Sequence, residues 1–218
     1  MFVESRDSNT LKPAELDVIA QLGFDSGVIP DGSAIELQVE QFPLVVLASI
    51  DDELVGYLFG SLERIGGTPS ILWALGCQRK IKTHDVLGAM TAELFRRAAI
   101  SFPDEDVFVG GRFSHSGAYA LLSGLHDIVP RKGYTATGEE RAWGRRLAKR
   151  FSCNGAYDDR RFVVEGSAVP QPIVDGRHLK PTKRVPEHFD ELDLERCDSL
   201  IAFGWVQAEE LANRLLEQ

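Results

Sequence analysis

Two apolar runs near the start of the chain predict a β-hairpin. Residues 43–50 and 54–65 are rich in β-branched and aromatic side chains, and the acidic residues 51–53 separate them, which is typical of two antiparallel strands joined by a turn. A further apolar run at 71–77 follows the glycine- and proline-containing residues 66–69. The pattern therefore predicts a hairpin followed by a third strand that is buried on both faces.

The segment after this third strand predicts an anion site. Residues 78–85 form a polar connector, and residues 86–99 place apolar side chains at helical spacing. Three cations lie in the connector: Arg79, Lys80 and Lys82. The first N–H groups of a helix lack intrahelical partners, and the helix dipole adds to their attraction for an anion. A basic connector between a strand and a helix therefore favours phosphate binding.

The remaining patterns predict a fold of the α/β (α+β) class. They predict strands at 2–5, 106–111, 161–165 and 199–206, helices at 13–22, 114–125, 139–151 and 208–216, and a short helix or extended arm at 34–41. Ser114 or Ser116 is the expected cap of its helix. Residues 167–186, rich in proline, glycine and basic side chains, predict an extended surface arm. A hairpin joined to a strand–helix–strand crossover gives a mixed central sheet flanked by helices.

Composition narrows the classes of function. The 218 residues are 44% hydrophobic and 26% charged, and this suits a soluble globular chain. The net charge of −9 argues against a nucleic-acid partner and suits a cationic substrate. The three cysteines lie far apart without metal-ligand spacing, so we expect reduced thiols and no metal. No signal sequence or membrane span is evident, which predicts a cytoplasmic protein.

The order of elements over residues 43–125 resembles that of the GNAT acyltransferase superfamily. In that family, antiparallel strands lead into a central strand, which is followed by a pyrophosphate-binding loop, a helix, a further strand and another helix. Coenzyme A lies in the V where the central strand and the next strand splay apart. The resemblance implies acetyl-CoA or another acyl-CoA as co-substrate. It also implies a GNAT-like acyl-CoA-binding domain at 1–150 and, packed on it, a C-terminal strand and helix elaboration at 151–218.

The resemblance also implies the residues that contact coenzyme A. The family's motif of arginine, two residues, glycine, one residue, and glycine or alanine falls on Lys82, Thr83, His84, Asp85, Val86 and Leu87. The implied contacts are Leu75, Gly76 and Cys77 for the pantetheine arm, and Lys82, Thr83, His84, Asp85, Val86, Leu87 and Gly88 for the pyrophosphate. Asp85 and Leu87 replace the motif's two small residues, so the loop is degenerate. A carboxylate and extra Cβ atoms oppose close approach of a phosphate.

Three residues are candidates for the chemistry. Tyr119 is the expected general acid toward the coenzyme A thiolate, although the family's tyrosine position holds Leu122, one helical turn further on. His115 takes the place of the family's asparagine and would orient the substrate or act as a base. Glu63, on the second hairpin strand, is the other candidate base. Each also has a structural interpretation: a core aromatic, a helix-start residue and a solvated carboxylate.

Two hypotheses of function follow. The first is an acyltransferase that moves an acetyl or short acyl group from acyl-CoA to a small-molecule or peptide amine by direct attack. The alternative is a catalytically inactive GNAT-like binding or assembly module, in which the tail covers the cleft or forms a homodimer seam. A hydrolase using Ser114 or Ser116 with His115 is disfavoured, because neighbours in sequence cannot converge as a triad. An open V distinguishes the first hypothesis from the second.

Overall fold

The computed structural model describes residues 1–29, 32–166, 173–183 and 185–214. Its strands are β1 (Phe2–Asp7), β2 (Leu44–Ile50), β3 (Glu53–Ile65), β4 (Thr68–Gln78), β5 (Val107–Phe113), β6 (His126–Val129), β7 (Tyr157–Asp158), β8 (Val163–Val164) and β9 (Ser199–Val206). Its α-helices are α1 (Pro13–Asp25), α2 (Ser33–Gln41), α3 (Val86–Ser101), α4 (Gly138–Arg150) and α5 (Ala208–Asn213). Short 3-10 helices cover Ser8–Thr10, Ser116–Leu122, Asn154–Ala156 and Glu187–Glu191.

All the strands of the described residues belong to one mixed sheet. Its order is β1-β2-β3-β4-β5-β9-β8-β7, and β6 pairs with β9 outside this path. β4 and β5 run parallel, joined by α3, and the other strand pairs are antiparallel. The predicted mixed sheet with flanking helices is therefore confirmed. Through β8 and β9, the C-terminal part of the chain extends the same sheet.

The pairing of β4 with β5 ends early and leaves a V. Paired residues run from Ser70 with Phe108 to Trp73 with Gly111. Beyond Trp73 the two strands diverge, and Val174 bridges to Gly76 of β4 and to Phe113 of β5. The predicted divergence of the central strand from its neighbour is present, and a later segment of the chain lies inside it.

The apolar stripe of α3 covers one face of this sheet. Its predicted core residues Val86, Leu87, Met90, Leu94 and Ala98 are all fully buried. Gly56 of β3 permits this packing, because a Cβ there would lie 2.7 Å from Val86 Cγ1. Phe59, Trp73 and Phe108, which the alternation of the strands assigns to the core, are also fully buried.

The predictions for the second half of the chain need correction. The predicted helix at 114–125 is a 3-10 helix over Ser116–Leu122. The predicted serine cap was wrong, since His115 occupies the N-cap position without a side-chain capping bond. Gly117 lies against the backbone of residues 176 and 179, so a tertiary contact shapes this segment. The strand predicted at 161–165 is reduced to Val163–Val164.

Parts of the predicted arm and terminal helix fall outside the described residues. In the predicted arm at 167–186, positions 167–172 and 184 lie outside the described residues. In the predicted helix at 208–216, positions 215 and 216 also lie outside them. Residues 34–41, left as helix or arm, form α2. None of the helices in the described ranges combines the length and apolar character needed to cross a lipid bilayer.

Candidate functional site

A segment of the chain's own tail fills the V between β4 and β5. We call residues 173–179 the strap. Gly76 N donates a hydrogen bond to Ile173 O at 3.1 Å, and Asp175 N donates to Gly76 O at 2.8 Å. On the other side, Val174 N donates to Arg112 O at 2.8 Å. Val174 is fully buried, so the strap is a short parallel strand that joins the two diverging strands.

The strap takes the backbone contacts that the resemblance assigns to a pantetheine arm. Of the three residues implied there, Leu75 and Cys77 are buried, and Gly76 has both its N–H and its C=O bonded to the strap. A ligand that paired with the Gly76 N–H and C=O groups would have to displace the strap.

Asp175 anchors the strap through its carboxylate. Its Oδ1 lies 3.1 Å from His115 Nδ1, and its Oδ2 lies 2.7 Å from Arg177 Nε. The carboxylate is almost fully buried. Burial by itself raises the pKa of Asp175, but hydrogen bonds from His115 and Arg177 outweigh it and hold the pKa below its ordinary 3.8. Asp175 is therefore an ionised group that ties the strap to the segment that follows β5.

Two glycines let the strap approach the 3-10 helix at Ser116–Leu122. A Cβ on Gly176 would lie 2.1 Å from Ala118 N, and a Cβ on Gly117 would lie 2.3 Å from Gly176 O. Both obstacles are backbone atoms, which no rotamer change can move. Close approach is therefore the reason for glycine at both positions.

The start of α3 is capped by the chain's own side chains. Gly88 N donates to Asp85 Oδ1 at 3.0 Å, and Leu87 N donates to Gln78 Oε1 at 2.8 Å. Ala89 N donates to Asp85 O at 3.0 Å. A carboxylate at this end of a helix is favoured by the helix dipole. Two of the donors expected to hold a pyrophosphate, the N–H groups of Leu87 and Gly88, are thus bonded within the chain, and Asp85 places a negative charge beside them.

The other residues of the implied pyrophosphate loop are mostly exposed. Lys82, Thr83 and His84 lie at the surface, where Thr83 Oγ1 is 2.8 Å from His84 Nδ1, whereas Val86 is buried. Arg79 forms an ion pair with Glu53 at the start of β3. The roles of these residues in phosphate binding stay predictions.

The three candidate catalytic side chains do not converge. The Tyr119 hydroxyl is buried and donates to Pro130 O at 2.7 Å. Glu63 accepts from Arg150 Nε at 2.9 Å and lies five residues along β3 from Leu58, the partner of Gly76; at the usual rise per residue that is about 17 Å. Of the three, His115 contacts the strap through the Asp175 carboxylate.

His115 does not form part of a hydrolase triad. Ser114 Oγ lies 2.8 Å from His115 Nδ1, and Asp175 Oδ1 lies 3.1 Å from the same nitrogen. A triad needs the nucleophile and the acid on different ring nitrogens, because the base receives a proton at one while the acid orients it through the other. The arrangement instead gives His115 the role of holding the strap.

Sequence reasoning missed Asp175 and Gln78 as residues of the site. The signal for the strap was the pair Ile173–Val174, two β-branched residues followed by Asp175 and Gly176, which is typical of a short strand that ends in a turn. The proline-rich composition around it favoured a surface arm. Gln78 gave no local signal, since its function depends on α3 folding back over the end of β4.

The glycine pair within β5 serves core packing. Two adjacent glycines in a strand are typical of a bulge or of close approach by another group, such as an acyl group in the V. A Cβ on Gly110 would lie 2.7 Å from Leu147 Cδ1 of α4, and a Cβ on Gly111 would lie 3.2 Å from Trp73 O. The two glycines thus permit close packing by α4 and β4, and neither strand pairing of β5 shows a register shift there.

The cysteines give a first testable prediction. Burial raises the pKa of the Cys77 thiol to about 12, so we expect it not to act as a nucleophile at neutral pH. Cys153 is buried and Cys197 is exposed. Treatment of the native protein with iodoacetamide should alkylate Cys197 alone, and unfolding in urea should expose all three, as read by peptide mass spectrometry. Native labelling of Cys77 at a rate comparable to Cys197 would contradict this assignment.

Comparison with known proteins yields likenesses among solved structures alone. No protein-family model matches the chain, and no curated protein matches it in sequence. One similar structure is the aminoglycoside 6'-N-acetyltransferase from Enterococcus faecium, at 16% identity and a TM-score of 0.41 over 51% of this chain and 61% of that one. A second is an aminoglycoside 6'-N-acetyltransferase complexed with coenzyme A, at 17% identity and 0.40 over 54% and 65%. A third is Escherichia coli ElaA, at 16% identity and 0.45 over 63% and 93%.

The assignment of the fold rests on the strand order. The chain spans less than two thirds of the two aminoglycoside acetyltransferases, and all three TM-scores are below 0.5. The likeness to the family pattern rests on the topology of the sheet. Antiparallel strands lead into β4, α3 crosses to a parallel β5, and the two strands diverge into a V. These features give the chain a GNAT-like fold.

Proposed function

We propose that this chain is a binding or assembly module with a GNAT-like fold, and that it does not act as an acyltransferase while the strap occupies the V. The observation that carries the proposal is the strap, whose backbone joins β4 to β5 across the V. The capping of α3 by Asp85 and Gln78 supports it independently, because it occupies two of the N–H donors that a pyrophosphate would use.

Opening the V for a cofactor has an energetic cost. The strap makes three backbone hydrogen bonds to the two strands, and each contributes roughly 1 kcal/mol net. An opening cost of about 3 kcal/mol lowers the apparent affinity of any ligand that needs the open V by about a hundredfold. The buried Asp175 carboxylate holds the strap further in place. Cofactor binding to this chain is therefore opposed by the folded state itself.

The second candidate function is acyl transfer to a small-molecule or peptide amine after the strap has moved. The divergence of β4 from β5 favours it, since a V of this kind is the cofactor site that the resemblance implies. Direct attack of the amine would need no covalent enzyme intermediate. Tyr119, His115 and Glu63 remain the candidate residues, although Tyr119 would have to give up its bond to Pro130.

Titration calorimetry with acetyl-CoA separates the two functions. We expect wild-type protein to show no saturable binding to the V at cofactor concentrations up to about 1 mM, since the strap and the helix caps oppose it. The Lys82→Glu variant, altered in the implied pyrophosphate loop, reports on that site. Micromolar binding by the wild type that Lys82→Glu weakens at least about tenfold would overturn the module and establish the acyltransferase as the better interpretation.

A further inference from the structure

A cavity lies apart from the V, next to α4. It has a volume of about 700 Å³. The loop 130–136 after β6, Arg141 of α4, Arg160 and Phe162 between β7 and β8, and residues 186–188 form its walls. None of these lining residues belongs to the strap or to the start of α3. The volume is within the range of sites that bind small molecules.

The cavity is strongly basic in an acidic protein. Four cations line it, Arg131, Lys132, Arg141 and Arg160, against the single carboxylate of Glu187. Glu187 lies 4.0 Å from Lys132 Nζ, and both side chains are exposed. The chain as a whole carries a net charge of −9, so the cluster is not an extension of a generally basic surface. Concentrated positive charge inside a concave site attracts anions.

One lining arginine, Arg141, leaves hydrogen-bonding capacity unused within the described residues. Arg141 Nε is shielded from solvent and makes no hydrogen bond to any of the described residues. A buried N–H of a charged group is costly when it stays unbonded. The Arg141 side chain lines the cavity, and the terminal nitrogens of a guanidinium match the oxygens of phosphate in pairs.

Part of the wall is held rigid. The Arg131 guanidinium lies over the Tyr134 ring, 3.4 Å from the ring centroid, and donates to Ile128 O at 2.8 Å. The Tyr134 hydroxyl lies 3.1 Å from the Glu140 carboxylate, which also caps the start of α4. Side chains fixed in this way lose little further freedom when a ligand binds.

We propose that this cavity binds a phosphate-bearing small molecule. The arginine set supplies the charge and the fork geometry, and the volume admits an organic group beside the phosphate. If the chain is a binding module, a phosphate-bearing small molecule is the chemical class of its ligand. It rests on residues that the V does not share, so it stands whether or not the V admits acyl-CoA.

The test uses calorimetry on the full chain with inorganic phosphate, glucose 6-phosphate and AMP. Glucose and adenosine serve as uncharged counterparts. The variants are Arg141→Gln and Arg160→Gln, and the matched control is Lys149→Gln, which removes a charge from the exposed face of α4 outside the cavity. We expect a phosphorylated probe to bind the wild type and Lys149→Gln equally. Each arginine variant should weaken binding about tenfold or more, the usual effect of losing a charged hydrogen bond.

The binding results for the three probes and the variants decide whether the cavity is a phosphate site. Tighter binding of AMP or glucose 6-phosphate than of inorganic phosphate identifies an organic phosphate as the ligand, whereas equal binding identifies free phosphate. Failure of all three probes to bind, or equal loss in Lys149→Gln and Arg141→Gln, would overturn the proposal. Because acetyl-CoA also carries phosphates, binding of it that survives Lys82→Glu but is lost in Arg141→Gln belongs to this cavity and leaves the module interpretation of the V intact.

Discussion

The Gly176→Ala substitution is expected to release the strap from the V while the rest of the sheet stays folded. A Cβ at this position would lie 2.1 Å from Ala118 N and 2.3 Å from Ala118 Cα. Both are backbone atoms of the 3-10 helix, so the clash can be relieved only by moving one segment away from the other. Overpacking of this kind costs from about 1 to 3 kcal/mol or more, which is comparable to the three backbone hydrogen bonds that hold the strap.

Amide hydrogen exchange measures this release directly. Protection of the Gly76, Val174 and Asp175 amides should fall on the order of a hundredfold, because these three N–H groups donate the bonds across the V. The matched control is Gly155→Ala, where an added Cβ meets no atom within 4 Å. Unchanged protection of the three amides in Gly176→Ala would show that the strap tolerates the Cβ, and the close approach would then not be what fixes it.

Acetyl-CoA binding by Gly176→Ala also distinguishes the binding module from the acyltransferase. In Gly176→Ala the V is open, yet Asp85 and Gln78 still bond the first N–H groups of α3. If the chain is a binding module, acetyl-CoA should still fail to bind the V. If the strap alone blocks an acyltransferase, the variant should gain binding that the wild type lacks. The effect of the strap on cofactor binding can thus be measured separately from the effect of the α3 caps, with a single variant.

The sequence predicted best those elements that depend on local patterns. The hairpin, β4 and α3 all follow from apolar periodicity within one segment, and each lies where that pattern places it. Asp85, one of the two residues that replace the motif's small residues, caps the helix at the position where a phosphate was expected. Such features are set by neighbours along the chain.

The strap could not be predicted in this way. Its contacts join Val174 to Arg112 and Asp175 to Gly76, across separations of more than sixty residues. Apolar periodicity says nothing of such pairings. The composition around residue 173 favoured a surface arm, whereas the buried hydrogen bonds of the V place that segment inside the sheet. The basic cavity was missed for the same reason, because its arginines come from three separate segments.

The Trp73→Ala substitution should cause the largest loss of global stability of the changes considered. Trp73 is fully buried on β4, where it is the last residue to pair with β5. Its ring lies 6.1 Å from Phe95 and 6.3 Å from Phe113, edge to face with both. Removing a buried indole and leaving its cavity costs about 3–5 kcal/mol, and the lost aromatic pairs are included in that figure. Urea unfolding followed by far-ultraviolet circular dichroism measures the change without relying on the deleted fluorophore.

The position of Trp73 gives the experiment a second readout. Because it lies at the point of the V, its loss should loosen the strap as well as the core, so amide protection of Val174 should fall in Trp73→Ala. Gly176→Ala should lower the same protection and reduce the free energy of unfolding by no more than the cost of opening the strap, about 3 kcal/mol. Trp205→Ala is the control, as this partly exposed indole lies on β9 away from the strap. If Trp73→Ala costs less than about 1 kcal/mol, the aromatic cluster does not hold the V in shape, and the strap must be fixed by Asp175 and its partners instead.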